Sequence, residues 1–228
     1  MGIIDSGILG GFRNKTGPVS GRKHMGQDVI TSAYRKSKKP LTPAQLYEQE
    51  KLGMLSSFLN SISMLTDPGF KKFAKKMSAV NAAVSYNYPK AFLYSEDYQP
   101  DMKEHLPGLI ELNYPALVYS RGDIASPDGL RIRRDGDIVT FSWAARQQSQ
   151  YCQHTDLASV LVYFPQAKRV LIKHNAAQRH QLGLEVKVPH SFNGLLHCYI
   201  SFTSADEKIT GNSKYAGWLE PVAEGNQE

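Results

Sequence analysis

The first 39 residues differ from the rest of the chain in their pattern of apolar and polar positions. Glycine recurs from Gly2 to Gly26, and no apolar repeat long enough for a helix or a full strand lies between the glycines. Large apolar side chains are nevertheless scattered through the segment: Ile3, Ile4, Ile8, Leu9, Phe12, Val19, Val29, Ile30 and Tyr34. The pattern predicts an arm that becomes ordered only against another surface.

A helical pattern begins directly after this arm. Thr42 is suited to the cap, Pro43 to the first helical position, and Gln45 stands three residues after the cap. Apolar residues then follow at helical spacing on one face: Leu52, Leu55, Phe58, Leu59, Ile62 and Leu65. The pattern predicts a helix over residues 43–66.

A second helix is predicted to follow, forming a helical hairpin with the first. Asp67-Pro68-Gly69 should end the first helix and cap the second, whose apolar stripe is Phe70, Phe73, Met77, Val80 and Val84. Four lysines lie off this stripe: Lys71, Lys72, Lys75 and Lys76. A solvated helix face is the favoured interpretation of these lysines, and a phosphate-binding or membrane-binding face is the alternative.

From Tyr86 onward, short runs rich in β-branched and aromatic residues alternate with turn signals. They predict strands over residues 90–95, 109–113, 116–120, 130–134, 137–143, 158–164, 169–173, 181–188 and 195–203. Asp135-Gly136 predicts a tight turn. The alternation from Leu182 to Val188 predicts a strand with one apolar face and one solvent-exposed face. This spacing favours an immunoglobulin-like or fibronectin-like antiparallel sandwich with Trp143 and Tyr199 in its core.

The predicted fold class is therefore mainly β with an α-helical hairpin (α+β). Four segments are expected: a Gly-rich basic arm over residues 1–40, the helical hairpin over 41–86, connecting strands over 87–120, and the β-sandwich over 121–228, ending in a polar tail.

Charge is concentrated in the arm. Residues 1–39 hold eight basic and two acidic side chains, a net charge of +6, which equals the net charge of the whole chain. The other residues hold 19 basic and 19 acidic side chains, so the body is neutral. A cationic, flexible segment on a neutral body is typical of binding to phosphates, to an acidic surface or to a neighbouring subunit, with a solvated tail as the alternative.

Composition predicts a soluble protein made in the cytoplasm. The chain has 228 residues and 41% hydrophobic content, enough for one good core or two small ones, and it lacks the pattern of a secretory signal or a membrane span. Cys152 and Cys198, the two cysteines, are expected to be small buried side chains rather than a disulfide.

Three motifs resemble chemical sites without meeting their requirements. The segment Gly10–Thr16 resembles a phosphate loop, but Asn14 precedes Lys15 where glycine is needed, and no buried strand comes before it. His197 and Cys198 are neighbours on a predicted strand, so they point to opposite faces and can hardly share a metal with Cys152 and His154. Arg121-Gly122-Asp123 is interpreted as a turn. No catalytic residue, cofactor or metal is predicted, and no small-molecule substrate is evident.

Several motifs resemble an uncharacterised family of Bacteroidota proteins over nearly the whole chain. They are G-I-L-G-G-F-x-x-K-x-G-P-V-x-G at residues 7–21, K-S-x-K-P-x-T-x-A-Q-L at residues 36–46, Asp156 before a Leu-Val-Tyr strand, Tyr199 with Phe202, Ser204 and Asp206, and Asn212 to Gly217. The resemblance implies no activity and no catalytic residues. Pro40, Thr42 and Gln45 are also similar to a helix start in small phage and prophage proteins, which favours a component of a particle or filament.

The first functional hypothesis is a non-enzymatic structural or assembly protein whose arm docks on a second copy or a protein partner through residues 1–39. The alternative is nucleic-acid binding through the same arm, and a third hypothesis is a ligand-binding sandwich or small hydrolase. The residues expected to contact a neighbouring subunit or phosphate groups are Gly10, Gly11, Phe12, Arg13, Lys15, Gly17, Gly21, Arg22 and Lys23.

Overall fold

The computed structural model describes residues 3–4, 11–24, 26–32 and 39–221, with the backbone alone at 3–4. The chain divides into two compact units, Met1–Thr42 and Pro43–Glu228. The predicted polar tail after residue 221 lies outside the described residues.

The first unit contains an antiparallel sheet, so the prediction that its glycine-rich sequence forms no full strand is wrong. The strands are β1 (Ile3–Ile4), β2 (Phe12–Thr16), β3 (Val19–His24) and β4 (Gln27–Ser32), paired in the order β1-β2-β3-β4. Two-residue connections join β2 to β3 and β3 to β4, and Gly17 and Gly26 have φ values of 56° and 81° in them. The glycines thus support hairpin turns, for which a positive φ is required.

The second unit begins with three helices. They are α1 (Pro43–Ser61), α2 (Ser63–Phe70) and α3 (Ala79–Asn87). The predicted start at Pro43 is confirmed, but the predicted single helix over 43–66 is two helices, separated at Ile62. Leu52, expected on the apolar stripe, is exposed, whereas Leu55, Phe58, Leu59, Ile62 and Leu65 are buried as predicted.

Asp67-Pro68-Gly69 lies inside α2, so its predicted role as a helix stop is wrong. The second predicted helix instead begins at Ala79, where the Oγ of Ser78 accepts a hydrogen bond from the amide of Asn81 (3.2 Å). A Cβ atom on Gly69 would lie 2.6 Å from the carbonyl oxygen of Tyr119. The glycine therefore permits close approach of another segment rather than ending the helix.

The β-rich part of this unit has three antiparallel sheets. The first pairs β5 (Phe92–Tyr94) with β6 (Ile110–Leu112). The second has the order β11-β8-β7 and consists of β7 (Arg131–Asp135), β8 (Ile138–Ser142) and β11 (Gly183–Lys187). The third has the order β10-β9-β12-β13 and consists of β9 (Leu157–Phe164), β10 (Arg169–Gln178), β12 (Leu196–Thr203) and β13 (Lys214–Leu219). The turn predicted at Asp135-Gly136 is confirmed, because Asp135 pairs with Ile138. Strand β13 was not predicted.

Residues 116–120, predicted as a strand, include the end of a short 3-10 turn (Tyr114–Ala116) and a following segment that belongs to none of the strands. The backbone of Val118 is hydrogen-bonded to the side chain of Asn87 rather than to a strand. Oδ1 of Asn87 accepts from the Val118 N–H at 2.8 Å, and Nδ2 donates to the Val118 carbonyl at 2.7 Å. A side chain can therefore satisfy backbone groups that the pattern assigned to a sheet.

Two apolar clusters lie on opposite faces of β9 and β12. Val160, Val162, Cys198 and Ile200 belong to the first cluster, which also includes Phe141 and Val186 of the three-stranded sheet and the predicted core residue Trp143. Tyr199, predicted to share one core with Trp143, belongs instead to the other cluster, together with Leu161, Tyr163 and the α1 residues Leu55, Phe58 and Leu59. Because both faces of β9 and β12 are covered, these strands are almost continuously apolar.

Candidate functional site

The pairing register of the first unit places two predicted contact residues on one face. Lys15 pairs with Ser20, and Arg22 lies two residues after Ser20 on β3. Because side chains alternate along a strand and paired residues share a face, Lys15 and Arg22 lie together. Asn14 has a φ of 72°, which interrupts the regular alternation between Arg13 and Lys15. Arg13, Lys15 and Arg22 are all exposed, and Lys15 and Arg22 form a basic face of the β2–β4 sheet.

The opposite face of this sheet is less polar. It carries Phe12, Val19 and Ile30, and Ile30 is 59% exposed. A Cβ atom on Gly21 would lie 2.8 Å from the Phe12 ring, so the glycine makes room for that side chain. Lys23 is also on this face, where it is the strand partner of Asp28, so it lies on the side of the sheet opposite Lys15 and Arg22.

The remaining predicted contact residues are glycines with different environments. Gly17 occupies a hairpin turn, and Gly11 lies next to Asp28, with a built Cβ atom 2.1 Å from the carboxylate carbon. Gly10 lies outside the described residues. Residues 12–16 form a strand that leads into a hairpin, which differs from the loop and helix N-terminus of a phosphate-binding loop.

The four lysines predicted on a helix face lie instead on a 3-10 turn, Lys71–Phe73, and the connection that follows it. All four are exposed, and Lys72 forms an ion pair of 3.0 Å with Asp123. The neighbouring Arg121 stacks on the rings of Phe73 and Tyr86, at 4.3 and 4.1 Å from the ring centres. The Arg121-Gly122-Asp123 segment is therefore held against this connection by side-chain contacts.

The candidate metal ligands are not brought together. Cys198 packs in the first cluster, whereas His197, next to it on β12, lies on the other face, as the alternation predicts. Within residues 11–24, 26–32 and 39–221, no group of three or more histidine, cysteine or acidic side chains could hold a metal ion. Burial raises the pKa of the Cys198 thiol to about 12.

His197 belongs to a cluster of aromatic side chains that the sequence did not indicate. Its ring stacks on Tyr114 with the ring centres 4.1 Å apart, and its Nδ1 lies 2.8 Å from the hydroxyl oxygen of Tyr215. Desolvation lowers the pKa of His197 to about 4 and raises the pKa of Tyr215 to about 12. The imidazole is consequently neutral at pH 7.

A cavity of about 560 Å³ opens beside this cluster. Residues of α1, β5, β6, β9 and β12 and the neighbouring turns line it, among them Phe58, Tyr114, Tyr163 and His197. These residues come from distant parts of the sequence, so no local motif could have revealed them. The third hypothesis required a concave pocket with convergent polar groups, and this cavity keeps that hypothesis open.

The described chain is a mainly β protein with antiparallel sheets and a few helices. It belongs to the family of unknown function DUF6266, whose model matches residues 11–217. No curated protein matches the chain.

Among solved structures, the chain is similar to the crystal structure of chicken CNTN1 FN1-FN3 domains. The two share 9% identity with a TM-score of 0.31, over 45% of this chain and 33% of the CNTN1 chain. The chain thus covers about a third of that structure. Among the described residues, no helix is long and apolar enough to cross a membrane.

Proposed function

We propose that this protein is a non-enzymatic assembly protein that docks on a second copy or on a protein partner through its first unit. The observation that supports the proposal is the two-faced β2–β4 sheet, in which exposed Ile30 shares a face with Phe12 and Val19. Small sheets need an apolar face that is covered to become stable. A partner that covers this face would supply that burial, and β4 is an edge strand that can accept another strand.

The proposal is tested by the oligomeric state of the full chain. Light scattering at several concentrations should show a defined multimer of the wild-type chain that persists at high salt. Ile30→Asp should raise the dissociation concentration at least tenfold, because a buried carboxylate is costly. Met64→Asp is the matched control, since Met64 is an equally exposed apolar residue of α2 (61% exposed). A wild-type chain that stays monomeric and captures no partner contradicts the proposal.

Nucleic-acid binding is the second candidate, and the exposed basic residues Arg13, Lys15 and Arg22 of β2 and β3 favour it. Replacement of all three by Gln should then weaken binding to single- or double-stranded DNA of any sequence. The slope of log affinity against log salt concentration should fall by about two to three. The matched control is Arg131, Arg133 and Lys173 replaced by Gln, which removes the same charge from exposed positions of the second unit. Binding that is absent, or independent of salt, removes this candidate.

We also infer that the sheets of the second unit form a sandwich of the immunoglobulin or fibronectin kind. The orders β7-β8-β11 and β10-β9-β12-β13 support this, because in such sandwiches the first, second and fifth strands share one sheet. The first apolar cluster, to which both sheets contribute, would be the interior.

A further inference from the structure

The cavity beside His197 has the size and lining of a small-molecule site. Its volume of about 560 Å³ is in the usual range for ligand pockets. Apolar side chains make most of its wall: Met54, Phe58, Leu93, Leu112, Pro115, Pro165 and Leu195. The site lies entirely in the second unit and is independent of the sheet to which we assign docking.

The wall includes aromatic rings held in fixed orientations by one another. The ring of Tyr163 packs edge-on against Phe58, with centres 4.9 Å apart, and Tyr114 lies between Tyr163 and His197, at 5.5 and 4.1 Å. The hydroxyl of Tyr199 donates to the Tyr114 carbonyl at 2.8 Å, which fixes the backbone of that residue. A flat ring entering the cavity would meet preorganised aromatic partners.

Two polar groups of the lining can contact a ligand. Tyr163 is buried at 4% exposure and lines the cavity, and its hydroxyl can donate one hydrogen bond to an acceptor. The hydroxyl of Tyr215 is hydrogen-bonded to Nδ1 of His197. Because this imidazole lines the cavity, its other nitrogen, Nε2, is the one that can contact a ligand. Both groups are neutral at pH 7, because burial raises the pKa of Tyr163 and lowers that of His197 to about 4.

Two charged residues, Glu111 and Lys168, belong to the lining of the cavity. Both are exposed, and their opposite charges give no net attraction for an ion. A charged ligand group would lose hydration inside without a partner of opposite charge. The interior therefore suits a neutral group.

We propose that this cavity binds a small, neutral aromatic compound that carries a hydroxyl group, of which p-cresol is the simplest probe. The ring packs against Phe58, Tyr114 and Tyr163. The hydroxyl accepts a hydrogen bond from Tyr163 and pairs with Nε2 of His197. This site and the proposed docking surface can fail independently.

Ligand-observed NMR titration of the full chain tests the proposal with three matched probes. p-Cresol should bind at least tenfold more tightly than 4-methylcyclohexanol, which keeps the hydroxyl and lacks the flat ring. It should also bind roughly three- to tenfold more tightly than toluene, which lacks the hydroxyl, because one net hydrogen bond has about that value. No saturable binding of p-cresol, or equal binding of all three probes, overturns the proposal.

Variants locate the binding in this cavity. Ser57 is exposed on α1 and lines the cavity, so Ser57→Trp should place an indole ring in the cavity and weaken p-cresol binding at least tenfold. Asn60→Trp, on the same helix and outside the lining, is the control. Leu195→Trp, at a lining position that is 37% exposed, is a second filling variant if Ser57→Trp fails to fold. Unchanged p-cresol affinity in a folded filling variant overturns the proposal.

Loss of one hydroxyl tests the predicted contact. Tyr163→Phe should weaken p-cresol roughly three- to tenfold and leave toluene unchanged. Tyr151→Phe is the matched control, since Tyr151 is 42% exposed and lies away from the cavity. If Tyr163→Phe weakens both probes equally, the hydroxyl does not recognise the ligand and the proposed contact is wrong.

Discussion

Arg179 donates from its Nε to Oδ2 of Asp156 across 3.0 Å, and both side chains are almost completely buried. The Nη2 of Arg179 also donates to the Ala125 carbonyl at 2.7 Å, and the guanidinium lies 3.8 Å from the centre of the Phe202 ring. Asp156 in turn accepts from the Gln153 amide at 2.9 Å. One ion pair thus connects the loops before β7 and β9 with the core strand β12.

Removal of one partner of this pair should destabilise the fold strongly. Arg179→Ala leaves the Asp156 carboxylate buried without its cation, so we expect a loss of about 3–5 kcal/mol in the free energy of unfolding. Asp128→Ala is the control, because it breaks the exposed pair with Arg146 (3.4 Å) and should cost at most about 1 kcal/mol. Urea denaturation measures both variants. A similar small loss in the two would show that the buried pair has no structural role.

Two helical glycines should respond to alanine in opposite directions. Gly53 in α1 has open space where a Cβ atom would be, so Gly53→Ala should stabilise the protein by about 0.5–1 kcal/mol. In Gly69→Ala, the new methyl group would lie 2.6 Å from the Tyr119 carbonyl oxygen, and the collision should cost about 1–3 kcal/mol. Thermal and urea denaturation of the two variants provide the comparison. Stabilisation by both substitutions would contradict the close approach at Gly69.

Gly69 also illustrates where the sequence was an insufficient guide. Asp67-Pro68-Gly69 has the composition of a helix stop, and its actual place within α2 depends on a contact with Tyr119, 50 residues further along the chain. Local patterns succeeded where local chemistry decides the structure, as at the helix start at Pro43 and the turn at Asp135-Gly136. They failed where a distant segment decides it.

The first unit and strand β13 were missed for a related reason. Strands β2 and β3 contain one β-branched residue each, Thr16 and Val19, and the pairing of β2–β4 depends on turns at Gly17 and Gly26, where the sequence pattern indicates flexibility. Strand β13 contains Gly217 with φ 133°, next to a register shift in its pairing with β12. Glycine supports hairpin turns in the first unit and irregular pairing in β13, and neither role gives the regular alternation that indicates a strand.

The candidate residues of the first unit could be selected from the sequence by charge and glycine content, but their division into two faces could not. Arg22 and Lys23 are neighbours in the sequence and lie on opposite faces of the sheet. The cavity was beyond sequence reasoning, because Phe58, Tyr114, Tyr163 and His197 meet only after four segments have packed together.

Stability should fall in mild acid because of His197. Its pKa of about 4 in the folded protein is below the ordinary value of 6.5, so the unfolded chain binds the proton more readily. The stabilisation from the neutral imidazole is complete above about pH 6.5, decreases as the pH falls, and is lost below about pH 4. The loss is at most about 3 kcal/mol. Urea denaturation between pH 7 and 4 measures it.

Variants assign this pH dependence to one residue. His197→Phe keeps a ring that can stack on Tyr114. The slope of its unfolding free energy against pH should be smaller than the slope of the wild-type chain. His154→Gln, at an exposed position, should leave the slope unchanged. A steep slope in His197→Phe would assign the acid sensitivity to other groups.

Both cysteines should be unreactive until the protein unfolds. Cys152 and Cys198 are free and buried, and burial raises the pKa of Cys198 to about 12, so almost no thiolate is present at pH 8. An aromatic disulfide reagent should therefore label the folded chain at the rate of unfolding, and both thiols should react rapidly in denaturant. Ser57→Cys gives an exposed reference thiol, which should react at once in the folded protein. Labelling of the native cysteines at the rate of this reference would mean that the core around β12 opens easily.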